Sequence, residues 1–172
     1  YLDPEKPIVV VWEGQEEAAT RFFVGLNFKI VTGTCYLGGY VGSKERESDW
    51  IEEKVEAWDA SISKMAEVAR RQPQAAYIGL QQLLQAEWLF VQRVTAHTQE
   101  HFSPLDRAIT QDFLPSLLGD DNISPHRRAL MGLPIKQCRM ALPPPSSTAD
   151  HAYTTSRLST SHATAAVQAA TP

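Results

Sequence analysis

His97-Thr98-Gln99-Glu100-His101 matches H-x-x-E-H, an inverted zinc-peptidase pattern. On a continuous helix its two histidines share a face and Glu100 stays free to act as a base, with a third ligand needed further along. The flanking residues argue against that helix: Thr95 to Thr98, followed by Ser103-Pro104, read as the frayed end of one helix and the cap of the next. A solvated segment between helices is expected, with no metal. Asp120-Asp121 is a carboxylate pair of the kind that holds divalent ions, yet it follows a helix end and reads as a solvated turn. Arg127, Arg128, Lys136 and Arg139 form a basic cluster that fits either phosphate contacts or an ordinary charged surface.

The stretch GTCYLGGYVG, residues 33–42, packs four glycines around Cys35, Tyr36, Leu37, Tyr40 and Val41. A merely flexible loop has no use for the aromatic and branched residues. A merely stable strand does not tolerate so many glycines, each of which costs backbone entropy and offers no packing. Either this backbone approaches something closely, or Gly38 and Gly39 accommodate a bulge against the next helix.

The elements around these residues follow from pattern. Pro7-Ile8-Val9-Val10-Val11-Trp12 reads as a buried strand. Glu16 to Leu26 has helical spacing through Ala19, Phe22, Phe23 and Leu26, with Gly25 as a stop signal. Residues 28–32 and 35–41 flank Thr32-Gly33-Thr34, which predicts a β-hairpin turning there. Asp49 with Glu52 makes a capping box, and Ile51, Val55, Trp58, Ile62, Met65 and Ala69 then form one helical stripe.

Pro73 breaks that helix, and a second follows with Tyr77, Leu80, Leu84, Trp88, Val91 and Val94 on its apolar side. The short connection predicts an antiparallel αα-hairpin, with Trp58 and Trp88 in its core. Ser103-Pro104 and Ser124-Pro125 each place a cap residue before a proline. The first of these helices carries Leu105, Ile109 and Phe113 until Pro115 interrupts it. From Pro143-Pro144-Pro145 the chain turns to Ser, Thr and Ala, and residues 143–172 are expected to be mostly disordered, with a weak Ala-rich helix at most.

The expected fold class is therefore α+β. A small β element (strand, helix, β-hairpin) over residues 1–42 precedes a mainly helical antiparallel bundle over 43–142, and a tail ends the chain. With 172 residues, 43% hydrophobic and 21% charged, the sequence has the composition of a globular domain. It has no apolar run near the roughly 20 residues of a membrane helix, so no membrane partner is expected. Two cysteines give no disulfide framework, which suits an intracellular setting, nuclear or cytoplasmic. A net charge of −4 counts against a stand-alone nucleic-acid-binding module. With Tyr1 rather than Met at the front and a strand pattern a few residues on, the chain is expected to be part of a longer one.

Leu2-Asp3-Pro4-Glu5-Lys6 followed by Ile8-Val9-Val10 resembles the "leu-asn-pro-glu-lys" turn and strand of retroelement reverse transcriptases, with Asp3 where Asn is common. Tyr36-Leu37-Gly38 resembles the "tyr-leu-gly" hairpin that follows in that family, the primer grip, and the separation of the two motifs also fits. Gly132-Leu133-Pro134-Ile135-Lys136-Gln137 is similar to sequence of retrotransposon polymerases. The ordered motifs cover about a quarter of the chain, and the helices from about 44 to 118 match a thumb or connection region only loosely.

The resemblance implies the end of a polymerase palm leading into a thumb-like helical region. It implies that Tyr36, Leu37, Gly38 and Gly39 lie against a primer strand, glycine letting the backbone approach while Tyr36, Leu37, Tyr40 and Val41 anchor the other face. It implies for Lys6 a role as proton donor or charge partner to departing pyrophosphate, while Arg127 and Arg128 of the basic cluster are the further candidates for nucleic-acid contact. The family's paired aspartates and their Mg2+ belong upstream of Tyr1, with the rest of the palm and the fingers. The chain by itself is thus expected to be catalytically inactive, with no cofactor of its own, and to meet an RNA/DNA template–primer as part of the full polymerase. The competing expectation is a helical protein-interaction domain with no catalytic role. The polymerase reading also predicts exposed apolar surface on residues 7–12 and 28–41, as edge pieces of a larger sheet.

Overall fold

Ile8–Val10 (β1) and Lys29–Val31 (β2) pair in parallel, Ile8 opposite Lys29 and Val10 opposite Val31. Helix Glu16–Phe22 (α1) makes the crossover between them. The computed structural model describes residues 7–137 and 139–169, and contacts divide the chain into units Tyr1–Glu52 and Glu53–Pro172. A two-stranded parallel sheet is unusual because such sheets are normally covered on both faces. Here the branched residues of β1 and β2 are at most half-buried, and α1 buries none of its residues. The helix stops at Phe22, short of the expected Leu26, and Phe22 and Leu26 are exposed. Phe23 instead stacks edge-on with Phe22 and Phe28, centroids 5.0 and 5.3 Å away.

The hairpin turns later than its sequence suggests. Gly33–Tyr36 (β3) pairs antiparallel with Gly39–Gly42 (β4), and the connection is Leu37-Gly38, not Thr32-Gly33-Thr34. Leu37 and Gly38 have φ of +49° and +82°. Two successive positive φ values match the right-handed twist of the flanking strands in a two-residue hairpin. Gly38 takes that conformation without penalty, whereas β-branched Thr32 and Thr34 would resist it.

Helix Lys44–Ala69 (α2) begins directly after Gly42-Ser43. Its first turn closes by Glu47 N–H donating to the Ser43 carbonyl at 3.0 Å. Asp49 therefore lies inside the helix and caps nothing. Glu45 and Glu47 already occupy the first turn, where the helix dipole favours acidic residues.

In the second unit, Pro73–Gly79 (α3), a π-helical turn Leu80–Leu84 and Gln85–Val94 (α4) run without interruption. Trp58 meets Trp88, and Met65 meets Gly79. Later residues of one rod face earlier residues of the other, so the two rods are antiparallel as expected. Val55, Trp58, Ile62, Ala66 and Ala69 are buried from α2, and Ala76, Leu80, Leu84, Trp88 and Val91 from its partner. The π turn adds a residue to the helical period. From its end, Leu84, Trp88 and Val91 keep ordinary helical spacing, Thr95 is buried as the extended C-cap, and Val94 is exposed.

A 3-10 turn Gln99–Phe102 leads into Ser103–Ala108 (α5), a second π turn Ile109–Phe113 and Leu114–Leu118 (α6). Ser103 has helical torsions (φ −56°, ψ −35°), so the 3-10 turn is the entry and Ser103 is not the cap. Pro115 does not stop this helix. Proline lacks the N–H for the i−4 bond and its ring crowds that carbonyl; the wider π turn just before it supplies the room. Leu105, Ile109 and Phe113 are buried as their spacing predicts. The helix ends at Gly119, φ +65°. Ser124 does cap Pro125–Met131 (α7), its hydroxyl accepting the Arg127 N–H at 3.3 Å.

The expected tail is helical over Pro145–Ala169 (α8). Its first turns dock on α4, α5 and the 3-10 turn, burying Pro145 and Ala149. From Arg157 to Ala169 every residue is exposed. Composition alone conceals the docking, because it uses small side chains and hydrogen bonds instead of large apolar residues.

Candidate functional site

The hairpin tip is open. Tyr36 and Leu37 are 66% and 79% exposed, Gly38 is exposed and Gly39 half-buried opposite Tyr36. The four residues expected to face a primer thus share one accessible turn. The expected anchoring of its other face is only partly present. Tyr40 lies over Gly33 and against Trp50, ring centroids 6.0 Å apart. Tyr36, Leu37 and Val41 remain exposed and anchor nothing among the described residues. Lys6 lies outside the described residues.

At the opposite end of the hairpin a groove of about 560 Å³ runs between the ends of β1 and β4. Val10, Val11, Trp12, Thr32 and Val41 give it an apolar lining, and Ser43, Lys44 and Glu45 at the start of α2 close it. Burial raises the Glu47 carboxyl above its ordinary pKa, against the pull of Lys44. Between residues 7 and 50 no described residue is buried, while Ile8, Val10, Trp12, Phe28 and Val41 are exposed.

The arginine pair does not form a phosphate-binding patch. Arg128 is buried, its Nε donating to Thr110 Oγ1 at 3.1 Å and its Nη1 to the Leu142 carbonyl at 2.7 Å. Desolvation weakens its hold on its proton, and Asp106 partly offsets this. Arg127 pairs with Asp120. Neighbouring residues on a helix point about 100° apart, so one turns inward as the other turns out. Lys136 and Arg139 are exposed.

Asp120 also accepts the Asn122 N–H at 2.9 Å, and that bond, with Arg127, lowers its pKa. Helix α4 ends at Val94, and His97 sits in left-handed conformation (φ +57°) before the 3-10 turn. His97 and His101 therefore do not share a continuous helix. Among the described residues no group of three or more His, Cys, Asp or Glu comes together as a metal site.

Sequence reasoning missed a second cluster, in the helical unit. Tyr77, Gln85 and Gln92 lie on one line of the α3–α4 rod and donate to the carbonyls of Met140, Ala141 and Pro145. Their spacing of eight and seven residues is a helical repeat. No sequence signal marked it, because the complete burial of Gln92 beside Trp88 and Val91 shows only once the rod is packed.

No protein-family model, no curated protein and no solved structure matches this chain. No helix among the described residues is long and apolar enough to cross a membrane.

Proposed function

We propose that this chain is part of a retroelement reverse transcriptase, the end of its palm and a thumb-like helical region, that helps position the template–primer. The observation that carries this reading is the unfinished state of residues 7–42. A parallel β-α-β unit and a hairpin expose Ile8, Val10, Trp12 and Phe28, and bury nothing. A sheet of this kind is stable when further strands and helices cover it, as the rest of a palm would. The accessible Tyr36-Leu37-Gly38-Gly39 turn supports primer contact, because a two-residue glycine turn exposes main-chain N–H groups to a phosphate without an intervening Cβ. Chemistry rests with aspartates and Mg2+ outside this chain, and this chain's residues only bind and orient.

The experiment is anisotropy of a labelled RNA–DNA hybrid titrated with the chain between 50 and 200 mM salt. Binding that weakens steeply with salt, and about tenfold on Tyr36→Ala with Leu37→Ala, is expected. A folded chain that takes up no hybrid at the lowest salt overturns the proposal.

The second reading, a helical protein-interaction domain, is favoured by the helical unit. That unit closes its own core, and its most buried arginine serves the interior instead of a ligand.

A further inference from the structure

We infer that the helical unit carries a groove for a proline-rich peptide that enters as a loop and leaves as the first turn of a helix, and that its own residues Met140–Ser146, which run into α8 at Pro145, fill that groove in cis. Tyr77 Oη donates to the Met140 carbonyl at 2.7 Å, and Gln85 Nε2 to that of Ala141 at 3.3 Å. Arg128 Nη1 donates to Leu142 at 2.7 Å and Gln92 Nε2 to Pro145 at 2.8 Å. Asp106 Oδ1 accepts the Ser146 N–H at 3.4 Å. Five side chains from α3, α4, α5 and α7 thus hold seven residues of main chain.

An ordinary surface loop leaves such carbonyls to water. Here side chains read the carbonyls of Met140, Ala141, Leu142 and Pro145, while that of Pro144 accepts the Ser147 N–H at 3.0 Å as α8 begins. Such reading of carbonyls is how grooves recognise proline-rich segments. Two side chains anchor the segment: Leu142 at 2% exposure and Pro145 below 2%. Pro143 and Pro144 between them are only half-buried. The groove therefore selects an apolar residue followed three places later by a proline that starts a helix.

The cis occupant fits imperfectly. Gln85 Oε1 and Arg128 Nη2 are buried without a partner among the described residues, and Pro143–Pro145 have no N–H to offer the former. Ala141 is held at φ +50°, a conformation that a residue with a Cβ resists. A partner peptide that supplies an N–H and an acceptor there, on a relaxed backbone, displaces the segment. In the intact chain the tether masks the site, because a short linker gives an effective concentration of about a millimolar. The inference stands independently of the polymerase reading.

The test uses the full chain with a protease site inserted after Gln137, cut in solution and mixed with a dye-labelled peptide of residues 139–150. Anisotropy is expected to show uptake by the cut chain at least 100-fold tighter than by the uncut one. Gln92→Ala in the chain, or Leu142→Asp in the peptide, is expected to weaken uptake at least tenfold. A cut chain that keeps its helical circular dichroism and takes up no peptide overturns the inference, as does equal uptake of the Leu142→Asp peptide. Should cutting unfold the chain, the uncut Leu142→Ala variant is expected to take up about ten times more peptide than the parent, and equal uptake overturns the inference. Dimers that form by exchange of this segment and resist excess peptide also overturn it, by assigning the groove to a second copy.

Discussion

The Tyr40 ring lies across Gly33, two positions along the paired strand from the glycine's own partner Gly42, so closely that a Cβ on Gly33 would overlap the ring. Gly33 is thus the floor on which the hairpin's one inward aromatic rests, and Trp50 takes the ring's other side. Gly33→Ala is expected to displace Tyr40 and weaken the hairpin by about 1–3 kcal/mol, the usual penalty of overpacking. Faster hydrogen exchange at Cys35 and Tyr40, with loss of near-ultraviolet dichroism from Trp50, is the readout. Unchanged exchange would show that the ring has room to spare.

The second unit is organised around Trp58, whose ring stacks on Phe102 at 6.2 Å and meets Trp88 edge-on at 6.3 Å. Its indole N–H donates to Glu87 Oε2 at 2.7 Å. Trp58→Ala is expected to cost about 3–5 kcal/mol through lost burial and the cavity left behind. Glu87→Ala removes only a part-buried hydrogen bond and is expected to cost about 1 kcal/mol. Urea unfolding of both variants checks the ranking, which a larger loss for Glu87→Ala would reverse.

These packing residues were legible in the sequence because a helix repeats every 3.6 residues and its apolar stripe is redundant. Trp58, Ile62, Leu80, Leu84, Trp88, Ile109 and Phe113 are all buried where spacing puts them. Ser124 was equally legible, since a cap before a first-turn proline is a local device. The hairpin turn was misplaced because two glycine-containing turns competed, and backbone twist, not glycine count, decides between them. Pro115 misled because a π turn can absorb a proline, a tertiary accommodation with no local signature. The docked tail and the line of hooks at Tyr77, Gln85 and Gln92 were illegible for a common reason: hydrogen bonds between segments 40 to 63 residues apart leave no periodicity in either one.

Asp106 makes the docking of α8 sensitive to pH. Desolvation raises its pKa above the ordinary 3.8 of an aspartate, although the Ser146 hydrogen bonds and Arg128 pull the other way. A carboxylate with a raised folded pKa binds its proton more tightly in the folded state. Its contribution is present below the unfolded pKa and is lost as pH rises through the folded one. Stability of the helical unit is therefore expected to gain as pH falls through the interval just above 3.8, before general acid denaturation sets in. Asp106→Asn keeps an acceptor for Ser146 and cannot titrate, so its stability should be flatter over that interval. Parallel pH profiles for the two proteins would remove Asp106 as the source.

If the chain meets nucleic acid through the basic cluster of its helical unit, the cluster's available charges are Lys136 and Arg139, not the arginine pair of α7. Arg128 is committed to Thr110 and Leu142, and Arg127 to Asp120. Arg128→Ala would leave the Leu142 carbonyl and Asp106 without their cation, and is expected to destabilise the unit by about 2–4 kcal/mol. Because the lost side chain touches no phosphate, the salt dependence of hybrid binding by the folded fraction should stay the same. Lys136→Ala and Arg139→Ala should do the reverse, leaving the melting curve within about 0.5 kcal/mol while each lowers the slope of log K against log salt by roughly one. A slope that falls with Arg128→Ala and holds with the other two would mean that α7 rearranges on binding and turns its buried guanidinium outward.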